Sequence, residues 1–176
     1  MIAAAYIPVA TAVAAHLDPM TLPDAITNFD ITCQLVLQAP MVVISAMNRS
    51  SWFAADVGSA SDLSVAVGAL GEVLAGLKVP GRTPSHALGR VAGYLGAALP
   101  KIDTVSVGQA IDVLDAVRHI RNTAHHRNPA KELLDAHTLL GLPFPIVDPR
   151  QAWNILRAQA AQAFKTLQGV IYAAKP

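Results

Sequence analysis

The chain has 176 residues, of which 53% are hydrophobic and 14% charged, and its formal net charge is +1. This length predicts one domain over residues 1–176 with room for a sizeable core. The net charge excludes a whole-protein positive field that would attract nucleic acid, so any RNA binding must come from a local patch. Cys33 is the single cysteine, which excludes an internal disulfide and a multi-cysteine metal site.

The first quarter of the chain predicts two apolar helices followed by a connection. The first covers Ile2–Leu17, and the second runs from about Pro23 to about Met47. Pro40 should kink or split the second helix, because proline lacks an N–H donor and clashes with the preceding turn. Residues 48–59 are predicted to be a connection. Because both apolar stretches are short or interrupted, we expect no membrane span and a cytoplasmic, soluble protein.

The next two predicted helices are separated by a proline-containing loop. Ser61 is the expected N-cap of a helix that continues to about Leu77, and Ser85 that of a helix ending near Leu99. The loop between them covers residues 78–84. Glycines on one side of the second of these helices are interpreted as tight packing within one subunit, with an oligomer contact as the alternative: Gly89, Gly93 and Gly96.

The following helix carries the most polar part of the chain. Ser106 and Gln109 fit an S-x-x-Q capping box at its start, and Asn128-Pro129 is expected to end it. The same Asn-Pro pair fits the start of a short helix that reaches about Leu140, with Gly141 as its stop.

The last predicted helix begins at Asp148-Pro149, a cap followed by proline, and ends near Ala174. Strands are not expected, because alternation of apolar and polar residues is absent from the pattern. The predicted fold is therefore an all-α bundle of roughly five to seven helices.

Residues 118–127 gather three arginines, three histidines and one asparagine in a chain that is otherwise poor in charge. On a helical wheel one side of this helix is apolar and faces the core: Ala110, Val113, Val117, Ile120 and Ala124. The polar candidates lie on the opposite side or at its boundary: Arg118, Arg121, Asn122, His125 and His126. Asp112 and Asp115 precede them by a turn or two and are expected to pair with Arg118 or His119.

Cleavage of an RNA phosphodiester by its own 2′-hydroxyl is the chemistry that these residue types fit. A histidine exchanges protons near neutral pH. An arginine binds phosphate through two parallel hydrogen bonds and stabilises negative charge that develops in the transition state. An asparagine can orient either group. The reaction needs neither a metal nor a cofactor, and we expect none.

The segment Arg121-Asn122-Thr123-Ala124-His125-His126 resembles the R-N-x-x-x-H form of the R-x(4–6)-H motif of HEPN domains. The pair Arg118 and His125 gives a second fit, and the similarity in pattern covers roughly residues 85–127. The resemblance implies an all-α bundle, which usually forms a homodimer so that two motifs build one site. It also implies a metal-independent endoribonuclease of a toxin–antitoxin or phage-defence system, with RNA as substrate and an antitoxin or other protein as a further partner.

Roles for individual residues follow from the same resemblance. Arg121 would bind the scissile phosphate, His126 would be the acid or base, and Asn122 would support them. Arg118 and His125 would lie beside these residues or act in their place. The doubled histidine leaves open which of the two is active. Some HEPN toxins carry a tyrosine two positions after the histidine, where this chain has Asn128. We therefore do not expect this chain to be regulated by modification of a tyrosine at position 128.

Three alternatives remain open from the sequence. The protein could be a catalytically inactive HEPN-like module that acts through protein–protein interaction. A metal site could use His119 and His126 with Asp112 or Asp115, although an H-E-x-x-H pair is absent. A DNA-binding regulator could use residues 118–127 as a recognition helix, which the low net charge disfavours.

Residues outside the cluster are given structural roles. Tryptophans are interpreted as core or interface anchors: Trp52 and Trp153. Isolated histidines are expected at the surface or at helix caps: His16, His86 and His137.

Overall fold

The computed structural model describes residues 18–80, 87–122 and 130–176. These residues form seven helices and no strand, which confirms the predicted all-α bundle. The predicted helix Ile2–Leu17 and the expected caps Ser85 and Asn128 lie outside the described residues. The helices are α1 (Thr21–Leu37), α2 (Ala46–Phe53), α3 (Ala60–Ala75), α4 (Ala87–Ala98), α5 (Thr104–Asn122), α6 (Ala130–Leu140) and α7 (Pro149–Ala173).

Two long helices, α5 and α7, form the centre of the bundle. α7 packs against α1, α3, α5 and α6, and α5 packs against α3, α4, α6 and α7. Phe29 of α1 meets Phe164 of α7 with 5.4 Å between ring centroids, and Phe53 of α2 lies 6.3 Å from Trp153 of α7. All four rings are fully or almost fully buried. Burial of such rings contributes most of the apolar area that stabilises the contact between helices.

The second predicted helix is shorter than its apolar pattern indicates. α1 ends at Leu37, where Gln38 takes a left-handed conformation with φ 55°, and Pro40 lies in the loop that follows. Asp30 holds this loop, because its Oδ1 accepts hydrogen bonds from the backbone N–H groups of Met41 and Val42, each at 2.8 Å. The predicted split of this stretch at Pro40 is therefore confirmed, whereas the predicted end of the helix near Met47 is wrong.

A helix occupies part of the predicted connection 48–59. α2 begins after Ser45, whose side chain accepts a hydrogen bond from the Asn48 N–H. Arg49 is buried on this helix and donates to the Ile44 carbonyl and, at 3.1 Å, to Thr27 Oγ1 of α1. Burial lowers the pKa of Arg49, and the nearby Asp30 carboxylate partly opposes that shift. Arg49 thus joins the polar helix α2 to α1.

Two helix starts differ from the predicted caps. Ser59 rather than Ser61 caps α3, since its Oγ accepts from the Asp62 N–H at 3.1 Å while Asp62 accepts from the Ser59 hydroxyl at 2.8 Å. Asp103 rather than Ser106 caps α5. The end of α6 agrees with prediction, because Gly141 follows it with φ 69°. The start of α7 also agrees, because the Asp148 side chain accepts a hydrogen bond from the Gln151 N–H.

The glycines of α4 are interpreted from the sequence as tightly packed. A Cβ built at Gly89, Gly93 or Gly96 meets no atom within 4 Å among the described residues. Tight packing of these glycines is thus not found against the described residues, and both the packing within one subunit and the oligomer contact stay predictions. No helix in the described ranges has the length and apolarity that crossing a membrane requires.

Candidate functional site

The site that the sequence predicts lies at the C-terminal end of α5. The helix starts at the Asp103 side chain, whose Oδ1 accepts from the N–H groups of Val105 and Ser106 at 3.1 Å each. The Ser106 hydroxyl donates to Oδ2 at 2.7 Å. These hydrogen bonds, that of the Ser106 side chain first, lower the pKa of Asp103. α5 is therefore capped at the end opposite to the polar cluster.

The apolar face of α5 confirms the helical-wheel prediction as far as the described residues reach. Its members are buried to 9% exposure or less: Ala110, Val113, Val117 and Ile120. Ala124 lies outside the described residues. Because α5 packs against four helices, its polar edge is carried by a helix at the centre of the bundle.

Asp115 is the centre of the polar edge that the structure describes. Its Oδ1 accepts a hydrogen bond from Arg118 Nε at 2.7 Å, three residues further along the helix. Its Oδ2 lies 3.2 Å from His119 Nε2, four residues further along. One carboxylate therefore engages both side chains, and the expected pairing is confirmed for Asp115. No such contact is found for Asp112, which is exposed.

His119 is placed between two carboxylates. Its Nδ1 lies 3.9 Å from Oε2 of Glu132 on α6, which is too long for a hydrogen bond, and this buried nitrogen has no hydrogen-bond partner among the described residues. The His119 side chain is only 23% exposed. With Nε2 at Asp115 and Nδ1 facing Glu132, His119 lies between α5 and α6.

The structure describes the predicted site residues unequally. The Arg118 side chain is described and 34% exposed. Arg121 and Asn122 form the last two residues of α5, and their side chains lie outside the described part. His125 and His126 also lie outside it.

Sequence reasoning missed Glu132 and assigned His137 to the wrong environment. Glu132 meets His119 only because α6 packs back against α5, a contact that helical spacing within α5 does not indicate. His137 is 5% exposed, and its Nδ1 donates to the Pro143 carbonyl at 3.0 Å while its ring lies against Phe144. The expected surface position of His137 is thus wrong, and the residue anchors the loop between α6 and α7.

In residues 18–80, 87–122 and 130–176, no group of three or more histidine, cysteine, aspartate or glutamate side chains is arranged to hold a metal ion. The alternative that uses His126 falls outside these ranges.

No protein-family model, curated protein or solved structure matches this chain. The resemblance to HEPN domains therefore depends on the residues of the motif and on the helical fold alone.

Proposed function

We propose that the end of α5 is the site of a metal-independent endoribonuclease of the HEPN type. The proposal depends on one observation. Residues 118–127, the only segment of the sequence dense in arginine, histidine and asparagine, begin on the polar edge of α5, a capped helix at the centre of the bundle. Arg118 is partly exposed there and is oriented by Asp115. A rigid support of this kind suits a reaction that depends on placing charged groups accurately.

The proposed reaction uses the 2′-hydroxyl of RNA as nucleophile. A histidine removes its proton, the 2′-oxygen bonds to phosphorus, and the bond to the 5′-oxygen breaks. The products are a 2′,3′-cyclic phosphate and a 5′-hydroxyl, whose oxygen receives a proton from a protonated histidine. His126 is the first candidate for proton transfer and His125 the second. Arg121 neutralises charge on the phosphate, with Asn122 as its support and Arg118 beside it.

The proposed setting follows from the resemblance. The protein would act in the cytoplasm on RNA, within a toxin–antitoxin or phage-defence system. Two copies would form a homodimer whose motifs face each other, and one copy would then supply the base while the other supplies the acid. An antitoxin or another protein would restrain the activity.

The proposal is tested with a labelled RNA oligonucleotide and purified protein in excess EDTA. Wild type should cleave it and leave 2′,3′-cyclic phosphate ends, and Arg121→Ala and His126→Ala should each lose at least about 100-fold in rate. Arg150→Ala is the matched control, because Arg150 is an exposed arginine that also pairs with an aspartate. A substrate with a 2′-deoxy position at the cleavage site should resist cleavage.

Two outcomes would contradict the assignment. Cleavage that is equal in all variants indicates a contaminating nuclease or a site built from His125 and Arg118, and His125→Ala separates these two. No cleavage by folded, dimeric wild type removes support for the enzyme.

The second candidate is a catalytically inactive HEPN-like module that binds another protein. It is favoured by large apolar side chains that α1, α2 and the loop between them expose: Ile31, Leu35, Val43, Met47 and Trp52. Met47 is 79% and Leu35 69% exposed. Exposed apolar groups close along the chain suggest a protein contact. Under this candidate Leu35→Glu and Met47→Glu abolish self-association or partner binding, while Arg121→Ala and His126→Ala have no effect on it.

A further inference from the structure

Arg118 uses one of its hydrogen-bond donors among the residues that the structure describes. A guanidinium carries five N–H donors in a planar fork, and in this part of the chain Arg118 makes one hydrogen bond, from Nε to Asp115. Within the described residues, the four N–H groups on its two Nη atoms are left for another acceptor. Since the side chain is 34% exposed, an anion can reach them from solvent.

Asp115 orients Arg118 without fully offsetting its charge. The carboxylate engages Arg118 through Oδ1 and lies near His119 through Oδ2, so that its single charge faces two side chains. A partly exposed ion pair of this kind is weak. Arginine binds phosphate by two charge-assisted hydrogen bonds, which are stronger and geometrically specific. A phosphate can thus bind to the Nη groups while Nε stays on Asp115.

The position of Arg118 on α5 indicates which phosphate this is. Residues three apart on a helix are neighbours, with about 5–6 Å between their Cβ atoms, and Arg118 precedes Arg121 by three residues on α5. A strand whose scissile phosphate is at Arg121 would bring an adjacent phosphate close to Arg118.

We infer that Arg118 binds a second, non-scissile phosphate of a single-stranded nucleic acid and that Asp115 is its positioning residue. The inference rests on the proposed function for the identity of the strand. It narrows the substrate to oligonucleotides with a phosphate beside the one that is cut, and it gives Arg118 a role in binding rather than in bond cleavage.

Binding is measured with fluorescein-labelled single-stranded DNA of roughly ten nucleotides, which has no 2′-hydroxyl and therefore cannot undergo the proposed cleavage. Anisotropy titrations at salt concentrations between about 50 and 200 mM give Kd and its salt dependence. Arg118→Gln should weaken binding and reduce the salt slope by about 0.7, the value for one phosphate contact on a single strand. Arg150→Gln, the matched control, should leave the slope unchanged.

Asp115 is tested against Asp112, which lies one turn earlier on α5 and is exposed. Each change to Ala removes one negative charge near the strand, and that loss alone strengthens binding. Only at position 115 does it also remove the acceptor that holds Arg118 Nε. Asp115→Ala should therefore bind at least about threefold more weakly than Asp112→Ala, because an arginine that is not held must be immobilised on binding. Adding Asp115→Ala to Arg118→Gln should give no further weakening.

Kinetics with RNA separate this inference from the proposed function. Arg118→Gln should raise KM while kcat changes less than about twofold, whereas a loss of kcat with unchanged KM would overturn the role in binding. An unchanged salt slope in Arg118→Gln, or equal Kd values for the two aspartate variants, would also overturn it. So would wild type that fails to bind the DNA strand. Binding as expected without cleavage of RNA would contradict the enzyme alone.

Folding is monitored in the same samples. Each variant should melt within about 4 °C of wild type, since the changed side chains are partly or fully exposed. Arg118→Lys is a second variant that keeps the charge but not the planar fork. It should retain the salt slope and lose affinity, and an affinity equal to wild type would argue against an oriented guanidinium.

Discussion

Replacement of Asp30 by alanine should remove the contact that turns the chain back after α1. Asp30 Oδ1 accepts from the N–H groups of Met41 and Val42 at 2.8 Å each, and Oδ2 accepts from Gln34 Nε2 at 3.0 Å. Met41 is fully buried, so its N–H would be left with little access to water. The carboxylate also favours the charged form of the buried Arg49.

The magnitude follows from the two backbone contacts. A hydrogen bond to a charged group contributes about 1.5–3 kcal/mol, which gives an upper value of roughly 3–6 kcal/mol for the pair. Asp30 is half-buried, so water can replace part of what is lost. We therefore expect Asp30→Ala to lower the free energy of unfolding by about 2–4 kcal/mol. Asp30→Asn keeps one acceptor oxygen and should cost only about 1 kcal/mol.

The measurement is urea unfolding followed by circular dichroism, with the midpoint and slope compared across variants. Asp24→Asn is the matched control, because Asp24 is exposed in the first turn of the same helix, and it should cost less than about 1 kcal/mol through the helix dipole. A loss below about 1 kcal/mol in Asp30→Ala would refute the reasoning. Equal losses in the alanine and asparagine variants would refute the role of the acceptor oxygen.

Three further predictions concern other parts of the fold. Gly141→Ala should destabilise the fold by about 1–2 kcal/mol because φ is 69° there. Gly169→Ala should instead stabilise it by about 0.5–1 kcal/mol, because Gly169 is at an exposed helical position where a Cβ meets no described atom. Urea unfolding that gives the two changes the same sign would contradict this prediction. The lowered pKa of Asp103 means that its contribution to stability is present above its unfolded pKa of 3.8 and is lost as pH falls through the folded pKa. Asp103→Asn should accordingly lose less stability than wild type in thermal melts between about pH 5 and pH 2, and parallel curves would argue against it. Burial, with a smaller effect of Asp30, raises the pKa of the Cys33 thiol to about 12. The thiol should therefore react with a thiol reagent at pH 8 only as the protein unfolds. Rapid reaction without denaturant would contradict the burial of Cys33.

The helices that sequence predicts well are those whose ends carry local chemistry. Asp148 caps α7 and Gly141 terminates α6 through contacts between residues that are near in sequence. A local sequence pattern is therefore enough to predict these two helix ends. The apolar face of α5 was predicted for the same reason, because its period is set by the helix itself.

The errors arise where a distant contact decides the structure. α1 stops at Leu37 because Asp30 binds the chain 11 and 12 residues later, which proline alone does not indicate. In α2, a stretch of polar residues is helical and packs against α1 through the buried Arg49. The cap positions at Ser59 and Asp103 differ from prediction because several neighbouring residues can cap, and packing selects one of them.

At the candidate site, too, contacts within one helix were predicted and a contact between helices was missed. The pairing of Asp115 with Arg118 and His119 follows spacings of three and four residues on one helix, and sequence reasoning found it. The approach of Glu132 to His119 needs the packing of α6 on α5, and sequence reasoning missed it. The relation of Arg121 to His126 remains a prediction from the motif.

The division of α5 into a buried face and a polar edge has a consequence for how such a protein can change over generations. Substitutions at Val113 or Val117 alter the whole bundle, because these side chains contact its interior. Substitutions at Arg118 or Asp112 alter the surface and leave the interior intact. A lineage could therefore lose, regain or redirect chemistry at this edge while inheriting an unchanged scaffold, and descendants with the same bundle need not share an activity.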